Sequence, residues 1–286
     1  MSFRFKRWGS RWGLGAGRWA VLIVMMAGFT SSAHRPSPTA QREALRVCSD
    51  PNNLPFSDSL QHGFENRIAS MLASDMHARL EYTWWPQRRG FVRNTLKAGD
   101  CDVVIGVPSG YDMVAATAPY YQSTYVFVTR ADAGLSPKSF DDRSLRHARI
   151  GIHMMGDDYA NSPAAVALMH RGLGANIHGY MIYGNYNEPS PPSRLLDAVV
   201  RKDVDVAIAW GPLAGYYARH SAVPLVVTPV SPRIDTPFLP FVYSISMGVR
   251  RGDTTRKAFL DSEIVRRHDD IRRVLGEYGV PLVGGS

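Results

Sequence analysis

The stretch LKAGDCDVVIG (Leu96–Gly106) decides the fold class. Upstream of it, residues 88–98 place Phe91, Val92, Thr95 and Leu96 on one helical face, and Gly99 stops that helix. Residues 101–107 then run apolar with no alternation, as a buried strand does. The same succession recurs in RKDVDVAIAW (Arg201–Trp210). A helix over 193–201, with Leu195, Leu196, Val199 and Val200 inward, leads into a strand over 204–210.

Working outward, the alternation continues. Residues 45–48 read as a strand, 49–59 (SDPNNLPFSDS) as a turn-rich loop, 64–76 as a helix packed through Ile68, Met71, Leu72 and Met76, and 80–84 as a strand. Beyond the opening stretch, strands are expected over 124–129, 149–153, 180–183 and 242–249. Ser162 is the N-cap of a helix that has Pro163 at its first position and ends at Gly172. A short helix follows over 213–219, and a helical region broken once covers 254–278. No tandem repeat is present. Alternating β and α elements predict mostly parallel sheets flanked by helices. Two such runs, each of about four strands, predict two α/β lobes with a cleft between them. Ligands in such sheets sit beyond the carboxyl ends of the strands. The loops over 50–57, 84–89, 106–121, 154–161 and 210–217 are therefore the candidate site.

Composition agrees with a folded chain. The protein has 286 residues, 45% apolar, 20% charged and 10% aromatic, which excludes disordered and fibrous classes. The first 33 residues read as an export signal. Arg4, Lys6, Arg7, Arg11 and Arg18 form a basic start, Trp19–Phe29 is a short apolar core, and small residues lead to a cut after Ala33. An uncleaved anchor is the other reading, but the run is short of the roughly 20 residues that span a bilayer. Residues 34–43 are a polar linker. Without the leader, 28 bases face 25 acids, so most of the formal charge of +8 belongs to targeting. No basic run with interleaved aromatics remains, and nucleic-acid binding is not expected. Cys48 and Cys101 would meet an oxidising compartment, where two cysteines usually pair; two buried free thiols are the alternative.

Taken in order, LRVCSDPNNLPF (Leu45–Phe56), GFENRIA (Gly63–Ala69), LKAGDCDVVIG, APYY (Ala118–Tyr121), RKDVDVAIAW and MGVRRGD (Met247–Asp253) resemble a type II periplasmic solute-binding protein. The resemblance implies one lobe from residues 44–128 with 237–286 and a second from 129–236. Two departures stand out. Members that bind amino acids usually carry an Arg about nine residues before the Pro-Tyr element, gripping a carboxylate as a fork. That position is Gly110 here, and the Asp expected to hold an ammonium after the strand over 204–209 is Trp210. Amino-acid uptake is therefore disfavoured, and an aromatic cleft is expected instead.

A narrower resemblance rests on residues 82–114, PYYQSTYVFVTR (Pro119–Arg130), AIAWGPLAGYYA (Ala207–Ala218) and YGVPLV (Tyr278–Val283). These blocks are similar to the accessory J-type proteins encoded beside periplasmic quinoprotein (PQQ) methanol and alcohol dehydrogenases. The resemblance implies binding to, and assisting the maturation of, a PQQ-dependent alcohol dehydrogenase, and it fits a Cys48–Cys101 disulfide. The alternative is a transporter-linked binding protein for a small, non-zwitterionic, possibly aromatic ligand. The candidate cleft residues are Asn53 and Phe56 of the first loop, Trp85 and Arg88 of the second, and Tyr111, Tyr120 and Tyr121 of the third. Met154, Asp157 and Trp210 complete them. Neighbours on a strand point to opposite faces, so only one of Trp84 and Trp85 is expected to face the cleft. Catalytic motifs such as HExxH, GxSxG or a P-loop are absent. Glu65, Asp112 and Asp157 are the only acids placed near the cleft, and no catalytic residue, cofactor or metal is expected.

Overall fold

The computed structural model describes residues 43–284 apart from 155–161, 182–185 and 187–189. In chain order the strands of its main sheet are β1 (Ala44–Ser49), β2 (Arg79–Trp84), β3 (Val103–Pro108), β4 (Ala115–Arg130), β5 (Ile150–Met154), β6 (Ile177–Met181), β7 (Val206–Trp210), β8 (Leu225–Pro229) and β9 (Val242–Val249). The helices are α1 (Phe64–Asp75), α2 (Phe91–Asn94), α3 (Pro163–His170), α4 (Arg194–Val200), α5 (Gly211–His220), α6 (Thr254–Arg266) and α7 (His268–Glu277). The strands order as β2-β1-β3-β9-β4-β7-β5-β6, with β8 a further partner of β4.

Each lobe is built on a parallel trio. In the first, β1 lies between β2 and β3; in the second, β5 lies between β6 and β7. Antiparallel strands join the two. β4 pairs with β9 from Ala115 to Thr124, then with β7 from Tyr125 onward, while its far end also takes β8. One strand thus runs through both lobes. Its change of partner falls just ahead of the lobe limit expected at 128/129.

The first lobe's core sets Phe64, Ile68 and Leu72 of α1 against Val47, Val103 and Met247 of the sheet and Ile271 and Leu275 of α7. In the second lobe, β4 is buried on both faces. Phe127 packs with Phe140, Ile150 and Leu168, while Val126 and Val128 pack with Leu195, Leu196 and Val199. The C-terminal turn locks onto α5. Ser123 Oγ donates to Pro281 O at 2.6 Å, Arg219 donates to the carbonyl of Gly276 at 2.9 Å, and Tyr216 stacks on Tyr278. Ser162 caps α3 as expected, accepting from Ala165 N at 3.3 Å, with Pro163 first in the helix.

Two sequence expectations are corrected. Residues 115–121, read as loop, are strand. Pro119 has no N–H to give, but the register with β9 shifts between Ile245 and Ser246, so Tyr120 bulges and Pro119 is tolerated. The helix expected over 88–98 shrinks to α2. Gly90, at φ +93°, sets its start. At its end the Thr95 hydroxyl donates back to Phe91 O at 2.7 Å, competing with the backbone ladder. No helix among the described residues is long and apolar enough to cross a membrane.

Cys48 and Cys101 form a disulfide with Cα atoms 5.4 Å apart, packed with Phe91, Leu96 and Val104. It pins the end of β1 to the start of β3 across a 53-residue separation. Cross-linking a loop of that length stabilises by about 4 kcal/mol in the chain-entropy model. Urea unfolding of Cys48→Ser/Cys101→Ser should show a loss of about that size. A double variant whose stability matches wild type would show that the bridge does not restrain the unfolded chain.

Candidate functional site

Local chemistry puts an aromatic floor between the lobes. Tyr121 and Tyr125 lie four residues apart on β4, so they share a face. Tyr125 pairs directly with Trp210 at the end of β7. Tyr243 reaches in from β9. The three rings form a triangle, with Tyr125–Trp210 centroids 5.6 Å apart, Trp210–Tyr243 5.9 Å and Tyr125–Tyr243 6.3 Å, all edge-to-face. Phe56 closes the other side. It packs against the cores of both lobes. Its backbone is held by a turn (Phe56 N to Asn53 O, 2.9 Å) and by the start of α1 (Glu65 N to Phe56 O, 2.9 Å).

These rings enclose a cavity of about 380 Å³, lined also by Asn53, Gln87, Glu65 and Gly106. It opens into an outer cavity of about 560 Å³ where Arg88, Tyr111, Met113 and His153 line the wall. Asn53, Phe56 and Trp210 border both.

Among the described residues, Glu65 is the only acid on the inner wall. It sits in the first turn of α1, 7% exposed. Its carboxyl lies over Gly106: a Cβ there would fall 2.1 Å from Glu65 Oε1, so the carboxyl occupies the space that a side chain at 106 would take. No described side chain hydrogen-bonds to that carboxyl. Burial, aided by the neighbouring Asp50, pushes it up to about 8, so near neutral pH it is a carboxylic acid. Asp50 is the contrast. It accepts from Gln87 N at 2.6 Å, Asn52 N at 2.8 Å and Tyr186 OH at 2.9 Å. Burial still outweighs these bonds and holds it above its ordinary value. The bond from Tyr186 crosses the cleft, as do Ser190 N to Asn52 Oδ1 at 3.2 Å and Tyr217 OH to Leu54 O at 3.3 Å. The second lobe thereby grips the loop that carries Asn53 and Phe56. His153 is buried on the second lobe, 3.3 Å from Pro192 O, and desolvation pushes it down to about 4, so it is neutral.

The structure brings together Asn53, Phe56, Tyr121 and Trp210 on the inner cavity and Arg88 and Tyr111 on the outer one. Three expected residues lie elsewhere. Trp85 is 39% exposed beyond the last residue of β2 and borders neither cavity. Trp84 stacks on Tyr82 instead. Tyr120 is the bulge residue, and its ring is buried in the first lobe's core. Met154 lies over Gly179 of β6, whose Cβ would meet its sulfur at 2.1 Å. Asp157 falls outside the described residues, and Asp112 is exposed away from both cavities. Tyr125, Tyr243, Gln87 and His153 were not singled out by sequence reasoning as cleft residues, and Glu65 only as a possible acid. Tyr125 was findable, since a strand residue four beyond Tyr121 shares its face.

No family model matches the chain. Protein MoxJ of Methylorubrum extorquens is 30% identical over 277 residues, covering 92% of this chain and 90% of that protein. Among solved structures, MxaJ from Methlophaga aminisulfidivorans superposes with a TM-score of 0.73 at 28% identity, over 84% of this chain and 100% of its own. The periplasmic binding protein XoxJ from Methylobacterium extorquens does so with a TM-score of 0.70 at 38% identity, again over 84% and 100%.

The state of Glu65 has a consequence for stability. Its folded value near 8 lies above the ordinary carboxylate range of an unfolded chain. Below about pH 4.5 both states hold the proton and the group is neutral in effect. As pH rises toward 8 the unfolded chain ionises while the folded one keeps its proton, so stability falls; above 8 the loss levels off. Glu65→Gln should remove this slope. Denaturant titrations from acid to mildly alkaline pH should show the variant gaining on wild type up to about pH 8 and holding its lead beyond. A constant difference across the range would mean that the carboxyl titrates normally.

Proposed function

The chain belongs to the MoxJ family, and from that premise we propose that it is an exported periplasmic protein whose cleft receives an apolar segment of a quinoprotein alcohol dehydrogenase. It works by binding rather than by transport or catalysis, and it assists maturation or activation of that methanol-type enzyme. The observation that carries the reading is the aromatic inner cavity, five rings from both sides of the cleft. Gly110 and Trp210 stand at the two positions that would grip a zwitterion. A cleft lined this way gains affinity by desolvating its rings.

The lobes, residues 44–128 with 237–286 against 129–236, close about the two crossing segments. Closure brings the second lobe's Tyr186 and Ser190 onto the loop of Asp50 and Asn52. The leader over residues 1–33 delivers the chain to the compartment in which its partner works.

Calorimetric titration of the protein from His34 onward with its dehydrogenase, cofactor-free and cofactor-loaded, tests this. A micromolar or tighter complex is expected, weakened at least tenfold by Trp210→Ala, a change of about 1.4 kcal/mol or more. Binding that ignores this substitution would move the contact to the outer surface. Silence with both forms, together with a thermal shift on small aromatic solutes, would make the protein a solute receptor.

A further inference from the structure

Among the described residues, the inner cavity contains one charged-residue side chain, and that side chain has no protein partner. Glu65 is buried, reaches the cavity wall, and receives no hydrogen bond from any described side chain. Buried carboxyls are normally bonded, so one that reaches a cavity without a protein partner has its bonding capacity available to a guest. Phe56, Tyr121, Tyr125, Trp210 and Tyr243 surround the same space. Ring faces carry negative quadrupole charge and attract cations within about 6 Å. No described Lys, Arg or His lines this inner cavity; the arginines stand on the outer one. The titratable groups that feel Glu65 are Asp50 just past the end of β1, Tyr82 of β2, and Tyr120 and Tyr121 of β4, and none is a base. None of these neighbours carries a positive charge that would repel a cationic guest.

We infer that the inner cavity is a site for an alkylammonium group, held between the aromatic rings and the carboxylate of Glu65. The volume of about 380 Å³ leaves room for a short alkyl chain behind the ammonium. Tyr125 and Trp210 enclose that chain from the second lobe's side of β4, and Phe56 from the first loop. Binding converts Glu65 from acid to carboxylate, so one proton leaves the protein as the cation enters. The guest is either a free amine or a lysine side chain presented by a partner segment. The site itself does not depend on which partner the protein serves, so it stands or falls apart from the dehydrogenase reading.

The probes are n-butylammonium, 1-butanol as its neutral isostere, and acetyl-Gly-Lys-Gly-amide, titrated calorimetrically at neutral pH in two buffers of different ionisation enthalpy. n-Butylammonium should bind at least tenfold tighter than 1-butanol and release protons, seen as a heat that depends on the buffer. Glu65→Gln should cost at least tenfold in n-butylammonium affinity and abolish the proton release. Trp210→Ala, which leaves the carboxyl in place, should weaken n-butylammonium more than 1-butanol. Binding of the peptide assigns the ammonium to a lysine side chain, and binding of the free amine alone assigns it to a small amine; both retain the site. Equal affinity for n-butylammonium and 1-butanol, or an unchanged affinity in Glu65→Gln, overturns it.

Discussion

Strand β4 carries the hydrogen bonds of both lobes, and the position of each cleft wall follows from that. Its first part is fixed by β9 and its second by β7 and β8. A backbone paired on both sides cannot bend freely, because each freed N–H or C=O would need a new partner. Tyr121 and Tyr125 are therefore set on one face at a fixed spacing. Trp210 is placed by its pairing with Tyr125, and Tyr243 by the adjacent register of β9. The aromatic floor is thus a product of strand pairing and not of loop conformation. Loops add only the far wall, where Phe56 and Asn53 enter.

Two buried acids near this floor show how differently the same residue class is used. Asp50 is satisfied three times over, twice by backbone N–H groups and once by Tyr186 from across the cleft. It holds the loop of Asn53 in place and ties the two lobes together. Glu65 has none of this and pushes its carboxyl over a glycine into open space. Leaving it so costs folding free energy at neutral pH, since a proton must be held against the solvent. The glycine at 106 is part of the arrangement, because a Cβ there would force the carboxyl to shift from its present place.

Much of the architecture was legible in the sequence, and the misses share a cause. The strand over 242–249 and the broken helix over 254–278 were readable because their patterns are local. The first part of β4 was not, since Ala115 to Tyr121 has no clear period and contains Pro119; β9, more than a hundred residues later, makes it a strand. β8 escaped for the same reason, being defined by its pairing with β4. In the cleft, Trp210 was readable from its place at an open strand end before Gly211-Pro212. Trp85 and Tyr120 were misplaced because aromatic content says nothing about facing. One continues past the end of a strand into solvent, and the other sits at a bulge whose existence depends on β9. Glu65 could be named as an acid near the cleft, but its isolation could not: that requires knowing that Gly106 lies beneath it.

The comparison between the two cavities bears on selectivity. The inner one is aromatic with one acid, while the outer one carries exposed Arg88 and Arg93 beside a neutral His153. Exposed guanidinium groups are well solvated and contribute mainly to encounter, with effects that fade over a Debye length of about 8 Å at physiological salt. Affinity is set deeper, where water is excluded and a mismatch leaves a buried group unpaired.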